Sequence, residues 1–111
     1  MRLEKDILEQ FRDETSTCFM AYLLERYGEM DPVTFEVLFR QLHPEYGERM
    51  APHRYTARKL NKWGMCTLTY RGRQLIAVPT EECDWKKLKN GVNWNDPSWE
   101  WVRRDGQIIR P

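Results

Sequence analysis

Apolar residues recur three and four positions apart through the first half of the chain, which is the spacing of one helix face. This pattern predicts a short amphipathic helix over residues 3–11, a largely buried helix over 19–27 and a third helix over 33–42. Gly28 stands where the second helix would stop, and Asp31 stands where the third would be capped. The first half is therefore predicted to be helical.

A helix of different character is predicted over residues 52–63. Its apolar residues are few, since Ala57, Leu60 and Trp63 alone recur along one side. A helix with so narrow an apolar stripe buries one side and exposes the rest. We therefore expect most of this helix to face solvent.

Alternating apolar and polar residues over 65–78 predict a β-hairpin after this helix. Arg71, Gly72 and Arg73 are expected to form its tip, because glycine readily takes the positive φ that a tight turn needs. The helix and the hairpin together span residues 53–79, which contain six Lys or Arg and no Asp or Glu. Such a segment is a candidate basic binding surface.

The C-terminal part predicts shorter elements. Residues 81–91 suggest a short helical turn. Residues 95–111 fit two structures: a helix capped by Asp96 and stopped by Gly106, or a hairpin indicated by the alternation around Trp99 and Trp101. We expect the helix, with the hairpin as the alternative.

Tryptophan is concentrated in this part of the chain. We expect these side chains to close the core, but some could instead form an exposed surface that binds a partner or stacks on single-stranded nucleic acid. The four tryptophans concerned are Trp85, Trp94, Trp99 and Trp101.

The chain has 111 residues, which fits a single domain over 1–111. Its net charge of +1 conceals an asymmetry. Residues 1–50 carry six Lys or Arg against eleven Asp or Glu, and residues 51–111 carry twelve against six. A basic face of this kind attracts polyanions, although the two halves could also pair with each other across the fold.

Several classes of function are not supported by the sequence. No nucleophile elbow and no glycine-rich phosphate loop is found, so we expect no catalytic residue, no enzymatic activity and no cofactor. The N-terminus is charged and no apolar run is long enough to span a membrane, so we expect a cytoplasmic protein. No metal site is expected, because the possible soft ligands lack the close pairing of zinc sites. These residues are Cys18, His43, His53, Cys66 and Cys83.

The helix over 52–63 supplies the positive evidence for binding. Arg54, Arg58 and Lys62 are spaced i, i+4, i+8 and so form one stripe along it. Phosphates attract Lys and Arg, and the Arg fork also fits base edges. The candidate nucleic-acid-binding residues are His53, Arg54, Tyr55, Arg58, Lys59 and Lys62 on the helix, with Arg71 and Arg73 at the hairpin tip.

The order of helix, helix, basic helix and hairpin resembles a winged helix-turn-helix domain, over about residues 15–79. The sequence ARKLNKWGM resembles the end of that family's recognition helix, which precedes the first strand of the wing. The resemblance implies an α+β fold, a winged helix with a three-helix core and a two-stranded β-hairpin wing. The connection between the second and third core helices is longer than usual for the family. Residues 1–14 and the C-terminal extension over 80–111 are additions to it.

The resemblance implies a small transcription regulator that binds double-stranded DNA, expected to act as a homodimer. A second hypothesis is a protein-interaction module, such as a phage- or plasmid-type inhibitor of a host nucleoprotein complex, which would use the same fold to bind a protein partner. A third is an adaptor subunit with no function of its own.

Overall fold

A computed structural model of the chain describes residues 2–46 and 52–89, and the backbone of residues 101–102 and 108–109. In these residues the fold class is α+β, with four α-helices and a two-stranded antiparallel hairpin. The helices are α1 (Lys5–Phe11), α2 (Ser16–Tyr27), α3 (Pro32–Leu42) and α4 (His53–Lys62), the hairpin strands are β1 (Cys66–Arg71) and β2 (Gln74–Pro79), and short 3₁₀ helices cover Pro44–Tyr46 and Trp85–Leu88.

Three residues fix the ends of α2 and α3, and the sequence predicted two of them, Gly28 and Asp31. The Thr15 side chain accepts a hydrogen bond from the backbone N–H of Cys18 at the start of α2. Gly28 ends α2 with a φ of 81°, a backbone conformation that residues other than glycine rarely adopt. Asp31 caps α3 by accepting from the N–H of Thr34 at 3.0 Å. The predictions that Gly28 ends α2 and that Asp31 caps α3 are confirmed.

Helix α2 forms the centre of the core. Phe19, Met20 and Leu23 on this helix are fully buried, as are Phe35 and Leu38 on α3. Helix α4 packs against α2 and against strand β1, and strand β2 packs against α2, so the basic helix is attached to the core along one side.

The short N-terminal helix and the segment after the hairpin both cover the outer side of α2. The Phe11 ring lies 4.6 Å from the Tyr22 ring and 5.1 Å from the Trp85 ring, between centroids. The backbone N–H of Trp85 donates to Glu25 at 3.0 Å. Trp85 therefore helps to close the core, as expected. Trp94 and Trp99 lie outside the described residues, as does the side chain of Trp101.

The hairpin is tighter than the sequence suggested. Arg71 pairs with Gln74 as the last pair of the ladder, so Gly72 and Arg73 alone form the connecting loop, and Gly72 has a φ of 66°. The register places Leu68 opposite Ala77.

A backbone contact that the sequence did not predict ties this hairpin to the helices. Met30, between α2 and α3, pairs with Ala77 of β2 through N–H···O bonds of 2.9 and 3.1 Å. The α2–α3 connection is therefore held against the hairpin, which fixes the hairpin relative to the helical core.

The expected helix at the C-terminus is wrong where the structure describes this part. Trp101–Val102 and Ile108–Ile109 are short antiparallel strands, with Trp101 opposite Ile109 and Val102 opposite Ile108. Aromatic and β-branched residues favour strands, and the intervening Asp105-Gly106 is a strong turn signal. These preferences outweighed the helix signal of Asp96, which lies outside the described residues.

Candidate nucleic-acid interface

More residues of α4 are buried than the apolar positions of its sequence predicted. Ala57 and Leu60 are fully buried, and Trp63 beyond the helix end is half-buried against the core. The polar residues His53 and Thr56 are buried with them. The set 53, 56, 57 and 60 has the spacing of one helix face, which the sequence concealed because two of its members are polar.

Polar groups on the buried side of α4 form specific contacts with α2 and β1. The Thr56 hydroxyl donates to the Ser16 hydroxyl at the start of α2, at 3.1 Å. The Cys66 thiol contacts the carbonyl of Ala57, with 3.4 Å between sulfur and oxygen. Helix α4 is thus held in one rotational setting, which determines the side chains that it presents to solvent.

Three cations occupy the opposite side of α4. Arg54, Arg58 and Lys62 are exposed and lie one turn apart, and we call them the basic stripe. Neither Arg54 nor Arg58 forms an ion pair with a residue that the structure describes. The exposure expected for these three side chains is present, and the charges of Arg54 and Arg58 are available to a polyanion.

His53 does not lie on this surface. Its side chain is buried, with 3% of the residue exposed, and its Nε2 donates to the carbonyl oxygen of Met30 at 2.9 Å. Its ring lies 5.7 Å from the Phe35 ring. Burial lowers the pKa of His53, while the bond to Met30 and the charge of Asp31 act in the opposite direction. The expectation that His53 contacts nucleic acid does not fit this position.

Lys59 and Tyr55 also differ from the expectation that they flank the stripe as contact residues. Lys59 is buried, with 7% of the residue exposed, and its Nζ lies 5.6 Å from the centre of the Tyr55 ring. Tyr55 is half-buried, and this burial raises the pKa of its phenol. The pair packs along the side of α4, so the accessible cations of the helix are those of the basic stripe.

The two arginines of the hairpin tip, residues 71–74, have different environments. Arg73 is exposed in the loop. Arg71 is also exposed, but its guanidinium donates to both carboxylate oxygens of Glu29, at 2.8 and 3.2 Å. The hydrogen bonds from Arg71 lower the pKa of Glu29. One of the two expected tip cations is therefore neutralised within the protein.

Glu29 and Tyr70 belong to this region although the sequence did not single them out. Glu29 lies 42 residues from its partner, so no local pattern connects the two. Tyr70 is 60% exposed at the end of β1, beyond the part of the strand that covers the core. An exposed aromatic ring beside cations can stack on a base or pack on a protein.

Neither a cluster of metal ligands nor a membrane-spanning helix is found in the part of the chain that the structure describes. No group of three or more His, Cys, Asp or Glu side chains is arranged to hold a metal ion there. No described helix has the length and apolar character required to cross a membrane. The chemistry of the surface is that of guanidinium, ammonium and aromatic groups.

Comparisons with protein-family models, with curated proteins and with solved structures found no match for this chain. The function has to be inferred from its own residues.

Proposed function

We propose that this protein binds double-stranded DNA as a winged-helix domain, with α4 as the recognition helix and β1–β2 as the wing. The observation that carries the proposal is the basic stripe, because its three cations are exposed along one side of a helix whose other side is packed in the core. Such a helix can place its cationic side in the major groove while its other side stays packed in the core.

The arrangement of the elements supports this assignment. Helices α2, α3 and α4 pack around one core and are followed directly by the hairpin, in the order that the resemblance implies. The pairing of Met30 with Ala77 fixes the hairpin to the α2–α3 connection. The hairpin is thereby held beside the helices, which suits a wing that contacts DNA together with a recognition helix.

The side chains of the stripe suit different contacts. Arg54 is in the first turn of α4, the part of a recognition helix that reaches base edges, and Arg58 lies one turn later. Both have the planar fork that fits guanine or a phosphate. Lys62 in the last turn and Arg73 in the wing are assigned to phosphates, which position the protein without reading sequence.

A small transcription regulator of the cytoplasm, acting as a homodimer, is the role that we assign to such a domain. Helix-turn-helix proteins commonly bind as dimers, with one recognition helix in each half-site. The thiols of Cys18, Cys66 and Cys83 are all free, which fits a reducing compartment.

Binding of the purified protein to a random-sequence duplex, followed by fluorescence anisotropy at low salt, tests the proposal. The matched control is Lys5→Ala, which removes one exposed cation from α1, away from the stripe. Arg54→Ala should weaken binding several-fold relative to this control, because it removes a contact to the duplex. Equal affinities for the two variants would contradict the assignment of α4.

A protein-binding module remains the second candidate, and one observation favours it. Val33 and Val37 lie one turn apart on α3 and are 58% and 46% exposed. Apolar side chains at this spacing can join a protein interface, and winged helices also serve as protein binders. In that case the basic stripe would meet an acidic partner, as in an inhibitor of a nucleoprotein complex. Absence of duplex binding at low salt would favour this candidate over the first.

A further inference from the structure

The contact between the hairpin tip and Glu29 has the form of a phosphate contact. Two guanidinium nitrogens of Arg71 donate in parallel to the two oxygens of one carboxylate. Arginine binds phosphate oxygens with the same fork. A DNA phosphate and the Glu29 carboxylate are therefore alternative partners for the same two nitrogens.

The position of Glu29 is fixed by the backbone beside it. The next residue, Met30, is held on both sides: its backbone pairs with Ala77 and its carbonyl also accepts from His53. Glu29 is thus carried on a segment that is tied to both the wing and α4. Asp31 adds a second negative charge close enough to act on Arg71.

From this geometry we propose that Glu29 occupies, in the free protein, the place on Arg71 that a DNA phosphate takes in the complex, and so restrains the affinity of the wing. The inference rests on the proposed function. When DNA binds, Arg71 exchanges one anion for another, and the released carboxylate then lies near the phosphate backbone. Both effects oppose binding. The exchange is feasible because the ion pair is exposed, with 67% of the Arg71 side chain and 42% of the Glu29 side chain accessible.

The proposal is tested by Glu29→Gln, which keeps the size of the side chain and removes its charge. The matched control is Glu9→Gln, which makes the same change of charge at an exposed position of α1. Glu29→Gln is expected to bind random duplex about fivefold more tightly than the wild type, since an exposed charge pair is worth up to about that factor. Glu9→Gln should bind with an affinity close to that of the wild type.

The same pair of measurements in the Arg71→Ala background separates exchange from simple repulsion. If Glu29 acts on DNA through Arg71, most of the gain from Glu29→Gln disappears when Arg71 is absent. A gain in affinity of the same size with and without Arg71 would overturn the inference, as would a gain no larger than that of Glu9→Gln. In either case, binding of the wild type to DNA would leave the proposed function intact. Failure of all variants to bind duplex at low salt would instead overturn the proposed function, and this inference with it.

Discussion

The His53 ring is bonded to the Met30 backbone: Nε2 lies 2.9 Å from the carbonyl oxygen, across 23 residues of sequence. Met30 also pairs with Ala77 of β2. One residue of the α2–α3 connection therefore joins the start of α4 to the hairpin. This junction sets the two elements of the proposed DNA surface in one arrangement, although neither His53 nor Met30 is exposed.

Stability should depend on pH through this histidine. Because burial lowers the pKa of His53, the unfolded chain binds a proton more readily than the folded protein. The stabilisation is fully present above the unfolded pKa of about 6.5 and is lost as the pH falls from there toward the folded pKa. Urea unfolding at about pH 7.5 and about pH 5.5 measures this loss, in a range above the titration of most carboxylates.

His53→Gln is the matched variant for that experiment, because an amide can still donate to the Met30 carbonyl but does not titrate in this range. The difference in unfolding free energy between the two pH values should be smaller in His53→Gln than in the wild type. An equal difference in both proteins would show that another group is responsible.

Asp31 should contribute to stability as the cap of α3. Its carboxylate accepts from the N–H of Thr34, so Asp31→Ala is expected to lower the free energy of unfolding by about 1 kcal/mol. Asp31→Asn, which retains a capping oxygen, should lose much less. Burial raises the pKa of Asp31, but hydrogen bonds from Thr34 and from the backbone of Asp31 and Val33 together outweigh it, so the pKa is lowered overall. The advantage of aspartate over alanine should therefore be present above about pH 4 and decline as the pH falls below it. Chemical denaturation at neutral and acidic pH measures both effects, and equal stability of the alanine and asparagine variants would contradict them.

The helices were predictable because their evidence is local. The apolar residues of α2 and α3, and the terminal residues Gly28 and Asp31, lie within or beside these helices. The bounds of the helices therefore follow from a few neighbouring residues. The basic stripe was predictable for the same reason, since its members share one helix and its spacing places them on one side.

The remaining features depend on residues far apart in the sequence. His53 is a polar residue type, and its burial follows from Met30 and Phe35, which only the fold brings near. The Arg71–Glu29 pair spans 42 residues. Tertiary contacts therefore determined the part of the site that the sequence missed.

The three cysteines should be protected from chemical modification in the folded protein. Burial raises the pKa of Cys18 and Cys66 to about 12 and that of Cys83 to about 11. Because the thiolate is the reactive form, a disulfide reagent such as Ellman's should react slowly with native protein at about pH 8, near the pKa of a free thiol, and with three thiols after denaturation. Rapid reaction of one thiol in the native state would place that cysteine at the surface.

Substitutions on the buried side of α4 should change stability, and substitutions on its exposed side should change DNA binding. Leu60 is fully buried, so Leu60→Ala should lower the free energy of unfolding by about 2–5 kcal/mol. Arg58 is exposed, and Arg58→Ala should change stability by no more than about 0.5 kcal/mol while altering the preference among DNA sequences. Lys62→Ala should weaken binding to all sequences alike. Thermal unfolding and competition binding with several duplexes measure the two properties, and an Arg58→Ala variant that unfolds as readily as Leu60→Ala would contradict the assignment of sides.

The salt dependence of duplex binding tests the central claim most directly. With Arg54, Arg58, Lys62 and Arg73 on phosphates or close to them, the logarithm of the association constant should fall with the logarithm of salt concentration with a slope of about −3 to −4. Removing Lys62, which is assigned to a phosphate, should reduce the magnitude of this slope by about one, and Lys5→Ala should leave it unchanged. An affinity that barely changes with salt, or a slope that is the same in all three proteins, would contradict the proposal that α4 meets DNA through its basic stripe.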